Sequence, residues 1–222
     1  MESVASKWVV ATELTVCSIV AVHGLNPWGN PDHAFDTWRK PKGANGNLWL
    51  RDELPKTVPN ARIFLYQYDS SPAFGSSKER FVHQANDLLE RIHIKRTDGS
   101  APTRPILLLG HSLGGILIKQ ALVNAHSNAR YRPIKEATSG LVFFGTPHAG
   151  GKDALVTIGK ISAKVASKVM RNPSKDVMEA LTKGSLFSDV LQESWRHQLN
   201  LYKIVSFYEG IGDVCMLPVL RE

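Results

Sequence analysis

A chain of 222 residues, 43% of them hydrophobic, has the size of one ordinary globular domain with a true core, which excludes a disordered or collagen-like polypeptide. Its formal charge of +7 comes without zinc-finger spacing, an aromatic ribonucleoprotein motif or a long basic tail, so a solvated basic surface is expected and nucleic acid is not an expected partner. The two cysteines, Cys17 and Cys215, match no metal-ligand or redox spacing and read as reduced thiols. Met1-Glu2-Ser3 lacks a basic leader, and the two observations together give an intracellular, non-secreted expectation.

Val16 to Val22 is a short β-branched run ending at His23-Gly24, too apolar for a loop and about a third of a membrane span, so it reads as a buried parallel strand and not as a transmembrane helix. Asn26 to Asn47 follows, rich in Gly, Pro, Asn and Trp, and is expected to be a long structureless connection of the kind that carries function. Ile63 to Tyr68 reads as a second strand. Phe81, Val82, Ala85, Leu88, Leu89 and Ile92 recur at helical spacing from Lys78 onward, and the helix closes near Asp98-Gly99. Ile106 to Leu109 is a third strand, followed through a glycine-containing turn by a buried helix from Leu113 to Ala125. Gly140 to Phe144 and Leu201 to Phe207 supply two more strands, with two helical segments between them inside Asp153 to Gln198. Strands alternating with helices predict an α/β fold: a mostly parallel sheet with helices on both faces, in a single domain.

Gly110-His111-Ser112-Leu113-Gly114 matches Gly-x-Ser-x-Gly and stands directly between a predicted strand and a predicted buried helix, the context in which that motif is a nucleophile elbow. The glycines are needed because a side chain at 110 or 114 would collide with neighbouring backbone, while Ser112 is pushed out at the carboxyl edge of the sheet. A serine hydroxyl needs a base to take its proton and donors to hold the oxyanion formed at the attacked carbonyl. The backbone N–H of Leu113 is one predicted donor, and that of Leu25, in the turn after the first strand, is the other. His23, at a strand end in a glycine turn, is expected to shape the loop through hydrogen bonds, the commoner role there than that of a base. His111 is placed with it as pocket-shaping.

The segments VHGLN, GHSLGG, LVFFGTPHAGG and IVSFYE, in that order, resemble the lipase-like α/β-hydrolase domains related to GPI inositol-deacylase and the serine-active-site-containing proteins, over about residues 16 to 209. The resemblance implies an acid after the last of these strands, at Glu209, with Asp213 as the near alternative, and a pocket-shaping role for His148. It implies an N-terminal domain of a larger protein, of the kind that continues in fungi into NTPase, ankyrin or tetratricopeptide regions. It also implies a catalytic histidine past one further strand, yet no histidine follows His197, and His83, His93 and His126 read as helix-surface residues. The chain is therefore expected to be C-terminally incomplete, without the last strand or strands. Losing the base costs up to about 10⁶ in kcat, while an oxyanion hole alone keeps about 10³ to 10⁴ over water.

In the stretch after GTPHAGG, Ala154, Leu155, Ile158, Ile161, Val165 and Val169 line one helical face, with Lys160, Lys164 and Lys168 on another. A surface helix with a solvated lysine face is the commoner meaning of such a pattern, and peripheral contact with an anionic membrane is the functional one. The expected function is hydrolysis of lipid-like or other acyl esters through an acyl-enzyme on Ser112, with no metal or organic cofactor. The alternative is a non-catalytic binding module built on the same shell. Peripheral attachment at endoplasmic-reticulum or mitochondrial membranes is what the family resemblance adds.

Overall fold

The computed structural model describes residues 17–26, 28–70, 78–97, 103–146, 193–209 and 214–218, with the backbone alone at 78 and from 208 onward. Strand β1 is Ser18–Val22, and the segment after it holds helix α1 (His33–Asp36), strands β2 (Arg39–Lys40) and β3 (Asn47–Leu48), and helices α2 (Trp49–Asp52) and α3 (Leu54–Thr57). There follow β4 (Arg62–Tyr66), α4 (Lys78–Thr97), β5 (Ile106–His111), α5 (Leu113–Ser127), α6 (Arg132–Ala137) and β6 (Thr138–Phe144). The described chain closes with β7 (Lys203–Glu209) and β8 (Val214–Pro218).

The sheet runs β4-β1-β5-β6-β7-β8. The first five strands are parallel to their neighbours, and β8 alone is antiparallel, on β7. Because side chains alternate across a strand, each central strand feeds two cores. Val20 and Val22 of β1, Ile106 and Leu108 of β5, and Leu141 and Phe143 of β6 pack with α4, α5 and α6 on one face. Ile19 and Ala21, Leu107 and Leu109, and Val142 and Phe144 pack on the other face with Trp38, Leu48, Leu50 and Leu54. This is an α/β fold with a mostly parallel sheet and helices on both faces, and its central strands β1, β5 and β6 are near-continuous apolar runs because both their faces are covered.

Three expectations need correction. The connection expected to be structureless over 26–47 contains α1 and a small antiparallel ladder, Arg39 opposite Leu48 and Lys40 opposite Asn47. Its glycines and prolines mark turns, while Trp38 and Leu48 are buried against the sheet and hold it in place. The strand expected at 201–207 begins at Lys203, after a 3₁₀ turn at Leu199–Leu201. Finally, β7 runs on to Glu209, and residues 214–218, expected to be a tail, form strand β8, whose five apolar residues are too few for periodicity to reveal. The two helical segments placed inside 153–198 lie outside the described residues except for one helical turn at 193–196.

Candidate active site

The carboxyl ends of β1 and β5 are neighbours, with Val22 in register with Gly110, so the turn at His23-Gly24-Leu25 and the elbow at Ser112 emerge side by side. Ser112 has φ 50° and ψ −118° and is the one non-glycine residue with positive φ among the described residues. Such a backbone costs on the order of 1–3 kcal/mol and persists only where the surroundings enforce it. Here the enforcement is visible. The Ser112 N–H donates to Phe144 O at 2.9 Å, and its carbonyl accepts from Gly115 N–H at 3.1 Å. The Thr146 hydroxyl lies 3.2 Å from the same carbonyl and 3.4 Å from Gly110 O.

The glycines do what the spacing requires of them. A Cβ on Gly110 would stand 2.5 Å from Gly115 Cα, and one on Gly114 would strike the carbonyl oxygens of Val22 and His23. A Cβ on Gly24 would stand 3.0 Å from Ser112 Cβ, which sets the β1 turn directly against the elbow. Leu113 is the first residue of α5, so its N–H belongs to the unpaired first turn of a fifteen-residue helix, where the backbone carries partial positive charge. The Ser112 side chain makes no capping hydrogen bond to that helix.

His23 is 1% exposed and both ring nitrogens are engaged. Nε2 accepts from Tyr68 N–H at 3.3 Å, a bond that leaves Nδ1 as the protonated nitrogen, and Nδ1 lies 2.9 Å from Gly24 O. The ring also stacks on Tyr68, whose hydroxyl donates to His23 O. Burial is the main cause that pushes the His23 pKa down to about 4, so it is neutral near pH 7. Since a peptide is planar and trans, fixing the Gly24 carbonyl toward the imidazole turns the Leu25 N–H of the same peptide the opposite way.

The other expected site residues divide. His111 is half-buried, next to Ser112, with its ring edge-on to Trp38 at 6.4 Å. Glu209 ends β7, and because Phe207 is in register with Phe144 and Phe144 with His111, its backbone reaches the same sheet edge as Ser112. It lies two strand spacings away, about 10 Å. His148 and Asp213 lie outside the described residues, as do Lys160, Lys164 and Lys168. His197 is exposed, 3.2 Å from Glu193 on the same turn. His83 and His126 are exposed and His93 is half-buried. No described hydrogen bond joins Ser112 Oγ to any imidazole. Among the described residues no group of three His, Cys, Asp or Glu side chains is arranged to hold a metal ion, and no helix is long and apolar enough to cross a membrane.

One residue escaped the sequence reading. His33 of α1 packs edge-on against His23, with ring centroids 5.1 Å apart, and its Nε2 is buried without a hydrogen-bond partner. Burial lowers its pKa, opposed by the carbonyls of Gly24 and Leu25 beside the ring. The only sequence signal was a histidine inside the long connection that starts at the oxyanion turn.

No known family profile matches the chain. It is similar to the protein SERAC1 of Homo sapiens, 23% identical over 220 residues that cover 91% of this chain and 32% of that protein. SERAC1 of Danio rerio is 27% identical over 214 residues, 87% of this chain and 30% of that one. The chain thus spans about a third of the length of the curated relatives it matches. Among solved structures it is similar to a cutinase-like protein from Cryptococcus sp., at 16% identity and a TM-score of 0.42 over 62% of this chain and 57% of the other. At that score the fold assignment rests on the sheet topology alone.

Proposed function

We propose that the chain carries the nucleophile and oxyanion hole of a serine hydrolase acting on lipid-like or other acyl esters. The observation that supports this best is the backbone of Ser112: a strained φ, at a strand-to-helix turn, walled in by glycines, with the hydroxyl left out of the helix cap. A structural turn has no need of that strain, whereas a nucleophile that must stand clear of the sheet edge does.

In this reading Ser112 Oγ attacks the ester carbonyl, its proton passes to an imidazole, and the Leu113 and Leu25 N–H groups hold the oxyanion. Collapse of the tetrahedral species expels the alcohol, which takes the proton from the imidazole and leaves an acyl-Ser112 for water to hydrolyse. Glu209 is the acid that orients the imidazole, its backbone standing at the same sheet edge as Ser112, two strands away across β6. His23 holds the Leu25 peptide in place and His111 and His148 shape the pocket. The base is a histidine outside the described residues, because both ring nitrogens of His23 are engaged and its lowered pKa makes it a weak base, and His197 is exposed and pairs with Glu193. The setting this reading fits is a longer protein of the serine-active-site-containing or GPI inositol-deacylase type, working at an intracellular membrane surface.

A second reading, a hydrolase-like binding module, is favoured by one observation: Ser112 Oγ has no imidazole partner among the described residues. Hydrolysis of p-nitrophenyl acyl esters by this chain, by a version extended along its own transcript and by both with Ser112→Ala separates the two. The hydrolase reading expects turnover in the extended chain that Ser112→Ala lowers by up to about 10⁶, whereas no serine-dependent turnover in any version leaves the binding module.

A further inference from the structure

At the opposite end of the sheet from Ser112, a cavity of about 270 Å³ opens between α4 and the strands β4, β1 and β5. Its walls are Val20, Phe64, Leu88, Ile92 and Ile106, and its charged lining is Arg91, Lys95 and Arg96, with no acidic residue. Ile106 starts β5 and Ser112 lies six residues further on, about 20 Å away at strand rise, so this cavity is separate from the candidate active site.

The three cations are not equivalent. Arg91 is paired with Asp87 at 2.7 Å. Arg96 is 6% exposed and donates to Arg104 O at 2.7 Å. Lys95 is exposed and makes no ion pair among the described residues, while its carbonyl receives the Arg62 guanidinium at 3.0 Å. Arg62, Lys95 and Arg96 thus bring three positive charges to this end of α4, and the Arg96 pKa is lowered, burial being the main cause and Arg62 a lesser one. An apolar slot whose lining carries three cations and no carboxylate, with Asp87 held by Arg91 at its edge, is complementary to an anion that carries an apolar tail. Its volume is that of about nine water-sized groups at ~30 Å³ each, room for one medium-length chain and too small for a two-chain lipid.

We propose that this cavity binds the carboxylate of a single-chain fatty acid, with the tail between α4 and the sheet and the head against Lys95. The site takes the same chemical class as the acid released by ester hydrolysis, at a place remote from Ser112. The binding itself does not depend on the hydrolase reading, because it is measured without turnover and is expected to persist in Ser112→Ala.

The test is calorimetric titration of the purified chain with octanoate, decanoate and dodecanoate below their micelle concentrations, against decanol and decyltrimethylammonium, with isoleucine methyl spectra recorded alongside. Saturable one-to-one binding of decanoate is expected, tighter than octanoate and levelling off at dodecanoate as the slot fills. Decyltrimethylammonium is expected to bind at least about tenfold more weakly, and Lys95→Glu to weaken decanoate by about tenfold with the unfolding midpoint unchanged, since the residue is exposed. The shifted methyls are expected to be Ile92, Ile94 and Ile106, which line the cavity. Equal binding of the cationic amphiphile, an unaltered affinity in Lys95→Glu, shifts confined to the Ser112 edge, or no saturable decanoate binding would each overturn the proposal.

Discussion

The elbow at 110–115 and the turn at 23–26 meet at Ser112 and are expected to supply one oxyanion donor each, yet they are held by different physics. The elbow is fixed by the close approach of bare backbone: Gly110 against Gly115, Gly114 against the end of β1. The turn is fixed by a buried imidazole that spends one nitrogen on the Gly24 carbonyl and the other on Tyr68 N–H. Packing of glycines has no titrating group in it, whereas a buried histidine does. The glycine packing of the elbow is therefore expected to be indifferent to pH, and the turn to respond to acid.

The largest effect that would break this comparison is steric. Gly114→Ala puts a methyl group into the carbonyl oxygens of Val22 and His23, backbone atoms at the end of the central strand β1 that cannot move cheaply. A loss of more than about 3 kcal/mol is expected in a denaturant titration, at the upper end of overpacking costs. A loss under about 1 kcal/mol would mean that the elbow relaxes freely and that its strain is not enforced.

Next in size is the response of the turn to acid. The His23 pKa is lowered from 6.5 to about 4, burial being the main cause, so below pH 6.5 the unfolded chain binds a proton that the folded chain refuses. The stability tied to neutral His23 is complete above pH 6.5 and is lost as pH falls toward 4, about 3 kcal/mol in all. His33, also lowered by burial, adds to the slope with the same sign. Unfolding titrations across that range are expected to show the slope in the parent chain and a flatter one in His23→Gln. An equal slope in both would place the acid sensitivity elsewhere.

The smallest effect sharpens the elbow's side. Thr146 is 1% exposed and its hydroxyl faces the carbonyls of Gly110 and Ser112. Thr146→Val keeps the shape and removes the donor, so a loss of about 1 kcal/mol is expected in thermal unfolding, with no dependence on pH between 4 and 6.5.

The same contrast explains how much could be read from the sequence. The elbow was legible because its requirements are local: strand, glycine, serine and glycine fall at set offsets within six residues, and the strained φ at Ser112 follows from them. The parallel sheet was legible for the same reason, since β1, β5 and β6 are apolar runs that only a strand buried on both faces carries. The turn at 23–26 was legible as a position, and His23 as the residue that shapes it through hydrogen bonds, but its partners were not, because Tyr68 is 45 residues away and its neighbour His33 sits in a connection whose composition reads as loop. Trp38 and Leu48 escaped for a related reason. Each is a single apolar residue among turn formers, and what orders them is the far face of a sheet that no local window contains. Strand β8 was too short for periodicity to separate it from a tail.

The central claim is that Ser112 is a nucleophile set in a preformed oxyanion hole. The most direct test is labelling by a fluorophosphonate, followed by intact mass, of the chain extended along its transcript and of its Ser112→Ala variant. One phosphonyl adduct, on Ser112 and absent from the variant, is the expected result. An adduct on any other residue, or none while the extended chain is folded, would contradict the account.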